Sequence, residues 1–481
     1  MEPVQLWGSG TLSKAATVTA QRRVNVYFEL RPDGDKVNLA VFGTPGLVST
    51  LTLATAPNGP IRGVHEGENY FYLVAGDTVY RITTDFLSET TYGTLRTTSG
   101  EVGMADNGTQ LLIVDGNSGY ILSGFDTATS TLTEIADPDF IDGCTTTTCI
   151  AGRFIVERPT TGQFYISDSY DGTAWDGSNF ATAEQHSDTL VAVDDYRGYL
   201  VLFGTRTIEG WQNVGALDFP FAPVLNATQM WGLAAKYSRA KLDNCLYFLG
   251  QNAQGQVQVM RINGWAVERV SDSDVENAIN SYGSKSDAVA LSYLLDGHPM
   301  YQFTFPGANK SWLFDASTQI WSELASGNTA SNRHIGHHAI VVNGKTYVTD
   351  YRQSSPKIYE LSPTTYSDDG STVKRIIATR HLVRGGNVFT IDELRLDMET
   401  GVGLQTGQGS DPKIMVRISR DGGRTYGSER QVGIGAAGKY RARACVRRCG
   451  SAEDFVFEFS MTDPVKFAVE RGLWKIRQRP Q

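Results

Sequence analysis

The sequence predicts an all-β fold: a β-propeller of about seven blades, with six as the alternative, followed by a β-sandwich-like module. Three observations lead to this prediction. Segments with helical periodicity are scarce, and pairs of alternating apolar runs recur at roughly 40–50-residue spacing. The pattern then changes near residue 370. The 50 glycines supply turns between strands, and Tyr, Phe, Thr and Val favour strands.

Each repeat reads as a β-hairpin, with an apolar run, a polar turn and a second alternating run. The seven stretches are 69–83, 109–123, 152–167, 198–211, 245–262, 300–315 and 345–361. Blades stacked in a ring bury each other's faces, which a single sheet cannot do. The repeats lack the Trp-Asp dipeptide of WD40 blades, so the prediction rests on the period alone. An array of two-sheet sandwiches is the alternative.

The chain divides into three predicted segments: 1–55, 56–368 and 369–481. The first contains "QRRVNVYFEL" and "KVNLAVFGTPGLV", which either close or brace the propeller or form an arm. The second is the propeller. After the turn-rich "SPTTYSDDGSTV", six alternating runs predict the C-terminal β-sandwich.

Charge is distributed unevenly along the chain, whose net charge is −9. Residues 371–481 contain 20 Lys/Arg and 12 Asp/Glu, a balance of +8, which leaves 23 against 40, a balance of −17, for the first 370. An acidic body repels DNA phosphates, so we expect it to surround DNA without gripping it. The sequence shows neither a secretory signal pattern nor a run of apolar residues long enough for a transmembrane helix.

Five cysteines make an odd number. Cys144 and Cys149 have C-x4-C spacing, Cys445 and Cys449 have C-x3-C spacing without a second pair, and Cys245 is isolated. Zinc sites usually combine two closely spaced pairs. We therefore expect reduced thiols in a protein made in a reducing cytoplasm.

The stretch "ISRDGGRTYGSERQV" at 418–432 resembles an Asp-box, the hairpin signature of sialidases and other propeller glycosidases. In that motif Ser and Asp bond to local backbone and Gly supplies positive φ, so the predicted role of Ser419, Asp421, Gly423 and Thr425 is a structural turn. The single copy lies outside the repeats, and no arginine triad or acid/base pair accompanies it. We expect no catalytic residues.

A histidine-rich stretch, "SNRHIGHH", contains His334, His337 and His338. An H-x-x-H pair can bind a metal, but the stretch reads as a loop without a neighbouring cysteine or carboxylate. A solvated or partly packed loop is therefore the favoured interpretation, and metal binding stays open. No nucleotide-binding or hydrolase motif occurs, so we expect no cofactor and assign no metal ligand.

The basic stretch "KYRARACVRRCG" at 439–450 is the sharpest charge feature. A strand from Tyr440 to Val446 would place alternate arginines on one face, suited to an acidic partner or to phosphates. A solvated hairpin face is the alternative. The candidate protein-interface residues are Lys439, Arg441, Arg443, Arg447 and Arg448.

Several of these stretches resemble one family. "RRVNVYFEL" followed by "FGTPGL", the central "LVLFGTRTIEGWQNVG", and the C-terminal "SRDGGRTYGSERQV" with "GKYRARACVRRCG" are similar, in order and spacing, to the packaged-DNA stabilisation proteins of P22-like short-tailed phages. The resemblance implies a structural tail hub, or nozzle, in the virion, made in the host bacterial cytoplasm.

The resemblance also implies partners. Such proteins form a hexameric ring below the portal and tail adaptor, extend the channel for double-stranded DNA, help retain the packaged genome without reading its sequence, and present surfaces for the tail needle and tailspikes. The host envelope would be met only indirectly. They are not enzymes. A propeller that binds or cleaves glycans on the virion is the alternative function.

Overall fold

The computed structural model describes residues 1–8, 10–31, 39–54, 57–183, 188–352 and 356–478. Strands dominate these ranges, and the α-helix found within them is Ser273–Asn280. Asp272 caps this helix by accepting hydrogen bonds from the amides of Asp274 and Val275, and Val275 and Ile279 are buried. None of the helical segments described here is long and apolar enough to cross a membrane.

The propeller consists, over the described residues, of seven antiparallel blades. Blades 1 and 2 contain Ile61–Glu66, Tyr70–Ala75, Thr78–Thr83 and Glu89–Thr94, then Gly103–Asp106, Gln110–Val114, Gly119–Ser123 and Thr131–Glu134. Blades 3 and 4 contain Thr147–Ile150, Arg153–Glu157, Gln163–Asp168 and Asp171–Thr182, then Leu190–Tyr196, Tyr199–Gly204, Ile208–Asn213 and Phe221–Pro223. The all-β propeller prediction is confirmed. Of the two blade numbers that the sequence left open, seven and six, the structure has seven.

Blade 5 begins with two short pieces that pair with the same neighbour. Its strands are Gly232–Leu233, Ala240–Leu242, Cys245–Gln251, Val257–Asn263 and Ala266–Arg269. Blade 6 contains Val289–Leu295, His298–Phe305, Lys310–Asp315 and Ile320–Leu324. Blade 7 contains Gly336–Val342, Lys345–Asp350 and Lys357–Ser362. Its fourth strand, Gly46–Thr52, comes from the N-terminal segment and pairs antiparallel with Lys357–Ser362.

The ring closes through its innermost strands. The first strands of neighbouring blades contact each other from blade 1 to blade 4 and from blade 5 to blade 7, and the first strand of blade 7 contacts that of blade 1. Between blades 4 and 5, Gly232–Leu233 contacts the second strand of blade 4, Tyr199–Gly204. Separate apolar clusters fill the spaces between adjacent blades. Each blade therefore covers its neighbour's face, as the stacking argument requires.

Tight hairpins join the strands within blades. Asn343 and Gly344 have φ of 52° and 74°, and they link Val342 to its partner Lys345. Two consecutive positive φ values are the geometry of a type I′ turn, for which Asn-Gly is a preferred sequence.

The second module is a sandwich of two sheets. One sheet has the order Val26–Leu30, Leu39–Gly43, Ala468–Gln478, Phe389–Met398 and Ala444–Ala452, with Glu2–Val4 paired to Ala468–Gln478. The other has the order Arg23–Val24, Arg375–Ala378, Asp454–Met461, Lys413–Ser419 and Arg430–Gly433, with Leu382–Val383 paired to Asp454–Met461. A large apolar cluster, including Phe389, Phe455 and Phe457, joins residues of both sheets. The β-sandwich prediction is confirmed.

The first 55 residues divide between the two modules. Residues of strands Glu2–Val4 to Leu39–Gly43 pair within the sandwich, whereas Gly46–Thr52 completes blade 7. A small hairpin, Ser367–Asp368 and Ser371–Thr372, lies beside Gly46–Thr52 where the chain leaves the propeller.

Candidate functional site

The basic stretch is a loop followed by a strand, so the predicted strand from Tyr440 to Val446 is wrong over its first half. The strand begins at Ala444, and residues 439–442 form a turn in which the amide of Ala442 donates to the carbonyl of Lys439. The backbone amide of Gly438 donates to the carbonyl of Gly401, and the hydroxyl of Thr400 donates to the carbonyl of Tyr440. The segment thus packs on the loop around residue 400, and strand alternation does not govern Arg441 or Arg443.

The five candidate interface residues are nevertheless all exposed to solvent: Lys439, Arg441, Arg443, Arg447 and Arg448. Arg447 lies 3.0 Å from Glu393, and its guanidinium lowers the pKa of that carboxyl. In the part of the chain that the structure describes, no carboxylate pairs with the other four cations. These residues form what we call the basic loop, a surface with uncompensated positive charge.

A bulge at the end of the basic loop sets the direction of Arg448. Residue 447 pairs with Glu393 and Gly450 pairs with Ile391, so two residues of one strand oppose one of the other. Arg448 has a φ of 55°. The side chain of Arg430 donates to the carbonyls of Arg447 and Arg448, which brings a further cation to this edge.

The Asp-box-like residues form a compact turn between two strands of the sandwich. Asp421 accepts hydrogen bonds from the amide and hydroxyl of Thr425, and the hydroxyl of Ser419 donates to it at 2.7 Å. These bonds lower the pKa of Asp421. The amide of Gly423 donates to the hydroxyl of Ser419, and a Cβ at Gly423, whose φ is 83°, would lie 2.5 Å from Ala20. The turn therefore packs against the N-terminal segment.

The interpretation of the histidine-rich stretch as a solvated or partly packed loop holds only before Gly336: Ser331 and Asn332 are exposed, whereas His334 and His337 are buried. His337 and His338 lie on strand Gly336–Val342 of blade 7, and His334 is enclosed before it. Nε2 of His337 lies 2.8 Å from Oε1 of Glu101, and Nε2 of His338 lies 3.0 Å from Oε2. Glu101 lies two residues before the first strand of blade 2, Gly103–Asp106. We call these three side chains the axial trio.

Glu101 and His338 of the axial trio line a cavity of about 260 Å³ between the innermost strands of the blades, which we call the axial cavity. Its lining comes from the innermost strands of several blades and includes Glu101, His338, Thr146, Asp194, Tyr237 and Arg239. Arg239 lies 2.7 Å from Asp194, so the positive charge at the wall has a carboxylate partner. Tyr237 donates from its hydroxyl to the carbonyls of Glu101 and Thr145, which fixes the backbone of Glu101.

Burial and charge oppose each other in the axial trio. Burial lowers the pKa of His337 and outweighs the attraction of Glu101, so the imidazole is neutral at neutral pH. For Glu101, burial raises the pKa, but the two imidazoles together outweigh it and the net pKa is lowered. At neutral pH the trio therefore holds an ionised carboxylate beside a neutral His337 imidazole.

The five cysteines are free thiols. Burial raises the pKa of Cys149 to about 12 and that of Cys449 to about 11, so these thiols are protonated and unreactive at neutral pH. In the described residues, the axial trio is the one cluster of potential metal ligands, and it contains no cysteine. Sequence reasoning missed Glu101 because it lies 236 residues from His337.

Two family models match the chain, one for each module. The model for "Bacteriophage P22 Gp10, beta-propeller" matches residues 13–366, and the model for "Bacteriophage P22 Gp10, beta-sandwich" matches residues 374–477. Among curated proteins, tail hub protein gp10 of Salmonella phage P22 is 25% identical over 290 residues, or 56% of this chain. The alignment spans 59% of the length of that relative.

Solved structures show weaker likenesses. Virginiamycin B lyase from Staphylococcus aureus aligns with a TM-score of 0.44 and 12% identity over 66% of this chain and 98% of its own. The WD40 domain of Pan2 from Neurospora crassa aligns with a TM-score of 0.39 and 10% identity over 67% and 95%. Likenesses of this size transfer no function.

The two family matches follow one another along the chain in the order of the two modules in the structure. Together they span most of the sequence, from residue 13 to residue 477. They confirm the resemblance found in the sequence motifs. The chain belongs to the bacteriophage P22 Gp10 family of tail hub proteins.

Proposed function

We propose that this protein is a structural, non-enzymatic component of a phage tail, in which six copies form a ring below the portal and tail adaptor. The observation that carries the proposal is the match of both modules, in order, to the P22 Gp10 models. In this role the ring extends the DNA channel, retains the packaged genome and offers docking surfaces to the tail needle and tailspikes. The chain is made in the host cytoplasm and ends in the virion tail.

The charge distribution supports this role. The first 370 residues have a balance of −17, counted as 23 Lys/Arg against 40 Asp/Glu. A negatively charged channel wall lets DNA pass. It does not bind the DNA phosphates, so it does not hold the DNA through the release of counterions. A ring of identical subunits closes through heterologous contacts, in which two different surfaces of each copy meet.

The basic loop is the surface we assign to an acidic neighbour in the tail. Four of its cations have no carboxylate partner among the described residues, so a partner can pair with them without first breaking an internal ion pair. Such charges mainly raise the rate and specificity of association. We expect this surface to meet the adaptor or an adjacent tail component.

Co-sedimentation with the phage's portal–adaptor complex, imaged by electron microscopy, tests the proposal. Six copies in a ring beneath the adaptor are expected. The variant Arg441→Glu/Arg443→Glu, which reverses two of the unpaired cations, should sediment with the complex much less than the wild type. As a matched control, Arg206→Glu/Lys310→Glu reverses two propeller cations that have no carboxylate partner in the described residues.

Two outcomes would contradict the proposal. If the wild type did not bind the portal–adaptor complex, the hub role would be wrong. If both double variants lost binding equally, the basic loop would not be the docking surface. Release of product from a panel of chromogenic glycosides would instead favour the alternative of a glycan-cleaving virion protein.

A further inference from the structure

The axial trio joins two blades that are not neighbours. His337 and His338 belong to blade 7, Glu101 leads into blade 2, and blade 1 lies between them in the ring. Each oxygen of one carboxylate faces the Nε2 atom of a different imidazole, at 2.8 and 3.0 Å. The proposed tail function makes no use of this arrangement.

A β-bulge aims both imidazoles at the same carboxylate. Consecutive residues of a regular strand point to opposite faces, so His337 and His338 would diverge. Here Gly336 pairs with Asp350 and Ala339 pairs with Val348, so both histidines oppose the single residue Thr349. The amide of His338 donates to the hydroxyl of Thr349, which fixes the bulge. Bulges that redirect side chains occur preferentially beside functional sites.

Two atoms of the trio are buried without a hydrogen bond among the described residues. They are Oε2 of Glu101 and Nε2 of His338, which lie 3.0 Å apart in a geometry that makes no hydrogen bond. Buried polar atoms of this kind cost free energy unless something satisfies them. Both atoms can donate a lone pair to the same cation.

The ligand set and its spacing suit zinc. Two histidines and one glutamate form a known three-residue zinc set, completed by water. In a tetrahedral site, ligand atoms about 2.0–2.2 Å from the metal are roughly 3.3 Å from each other. The donor atoms of the trio all lie within 4.8 Å of one another, and two of the separations are 2.8 and 3.0 Å. Small side-chain movements would therefore accommodate the ion.

The axial cavity can supply a water molecule as the remaining metal ligand, and it gives the ion a route to the three side chains. Its volume of about 260 Å³ holds several water molecules, each occupying about 30 Å³ of liquid. Glu101 and His338 border it directly. Arg239 also lines it, but Asp194 neutralises that charge, so the wall does not repel a cation.

We propose that Glu101, His337 and His338 bind one divalent transition-metal ion, with Zn²⁺ the best fit, and that a water molecule from the axial cavity completes its coordination. The ion fastens blade 7 to blade 2 across blade 1 and so locks the closure of the ring. Its role is structural and is independent of the tail partners.

Metal binding to the full-length protein tests this inference. The protein is stripped with a chelator and titrated with ZnCl₂ by calorimetry, and the bound metal is counted by mass spectrometry after desalting. We expect one Zn²⁺ per chain and a higher thermal midpoint with zinc. Glu101→Gln should bind zinc roughly 100-fold more weakly or worse, since changes outside the ligand shell alone cost about 10- to 100-fold.

The matched control is His65→Asn. His65 lies 2.8 Å from Asp106 in the same propeller, so this variant also removes an imidazole–carboxylate pair but leaves the trio intact. It should bind zinc like the wild type. No binding by the wild type, or equal binding by Glu101→Gln, would overturn the inference.

Cobalt gives a readout that does not depend on how well a variant folds. Co²⁺ added to the stripped wild-type protein should produce the visible absorption of a tetrahedral nitrogen- and oxygen-ligated ion. A strong sulfur-to-metal charge-transfer band would mean that cysteines bind the ion, and would overturn the assignment to the axial trio.

Discussion

His334 is a buried histidine that does not belong to the axial trio. Its Nδ1 accepts a hydrogen bond from the amide of Gly336 at 3.1 Å, and the side-chain amide of Gln302 lies 3.3 Å away. Burial lowers the pKa of His334 to about 4. An imidazole in this setting stays neutral, because a charge there would lose its hydration without gaining a carboxylate.

This burial predicts a loss of stability in acid. The folded-state pKa lies below the unfolded value of about 6.5, so the stabilisation is fully present above pH 6.5 and is lost as the pH falls toward 4. This single group can contribute at most about 3 kcal/mol to the free energy of unfolding. In His334→Gln, the free energy of unfolding should fall less steeply over this range than in the wild type. Urea unfolding at a series of pH values measures both slopes, and equal slopes would contradict the assignment.

The Asp-box-like turn allows a second test at the scale of one residue. Asp421→Ala removes the acceptor for the amide and hydroxyl of Thr425, and we expect a loss of about 1–2 kcal/mol in the free energy of unfolding. Asp411→Ala is the control, since Asp411 is exposed on the same module and has no hydrogen bond in the described residues. Denaturant unfolding compares the two, and equal stability of both variants would show that the turn contributes nothing measurable.

Single residues could be interpreted from the sequence when their partners were local. The residues of the turn at 419–425 interact within seven positions, so their types alone suggest the hydrogen bonds. The axial trio could not be found in this way. It requires the ring to bring Glu101 to His337, and it requires a bulge whose presence the spacing of His337 and His338 does not reveal.

The hairpins found in the sequence coincide with the middle strands of the blades. The stretch 69–83, for example, contains Tyr70–Ala75 and Thr78–Thr83, the second and third strands of blade 1. Middle strands are covered on both faces and form long apolar runs. Outer strands such as Glu89–Thr94 are half exposed and polar, and the innermost strand of blade 5 is split into short pieces. The repeats therefore predicted the two middle strands of each blade but not its innermost and outermost strands.

The strand Gly46–Thr52 is the element that closes the propeller, and Gly46 is where it fits most tightly. A Cβ at Gly46 would lie 2.4 Å from the carbonyl oxygen of Ser367 and 2.7 Å from that of Thr365. We expect Gly46→Ala to lower the free energy of unfolding by roughly 2 kcal/mol or more, because backbone atoms cannot move aside cheaply.

The control for this element is Gly433→Ala. Gly433 also lies in a strand, but a Cβ there would meet no atom within 4 Å. Its unfolding free energy should stay within about 1 kcal/mol of the wild type or rise slightly. Thermal and denaturant unfolding measure both variants, and a harmless Gly46→Ala would mean that the closing strand can shift without loss.

At the scale of the whole molecule, the chain passes through the sandwich twice and through the propeller once. It begins in the sandwich, adds a strand to blade 7, forms the ring and returns to the sandwich. Arg23–Val24 pairs with the last strand of blade 6 on one side and with Arg375–Ala378 on the other, so one sheet continues across both modules. Pairings such as Val24 with Glu323 join residues 299 positions apart, and no local pattern in the sequence identifies them.

Arg375 lies at the point where the two connections between modules meet. It is fully buried, and its guanidinium donates to the carbonyls of Thr44 and Tyr366, both at 3.3 Å. Thr44 precedes the closing strand, and Tyr366 follows the last propeller strand. Burial lowers the pKa of Arg375 to about 10, so the side chain remains charged at neutral pH. Burial likewise raises the pKa of the nearby Asp368 to about 7.

Arg375→Met should therefore weaken the molecule as a whole. The substitution leaves the carbonyls of Thr44 and Tyr366 without this donor and removes the cation that attracts the buried Asp368 most strongly, which we expect to cost roughly 2–5 kcal/mol. We expect the wild type to unfold in a single thermal transition. Because Arg375 bonds to both connections, its loss should separate that transition into two, one for each module. Differential scanning calorimetry measures both effects. Arg380→Met, which removes a single hydrogen bond to Gln5 at the surface, should leave one transition close to that of the wild type. If Arg375→Met also unfolds in one unshifted transition, the shared sheet alone couples the modules.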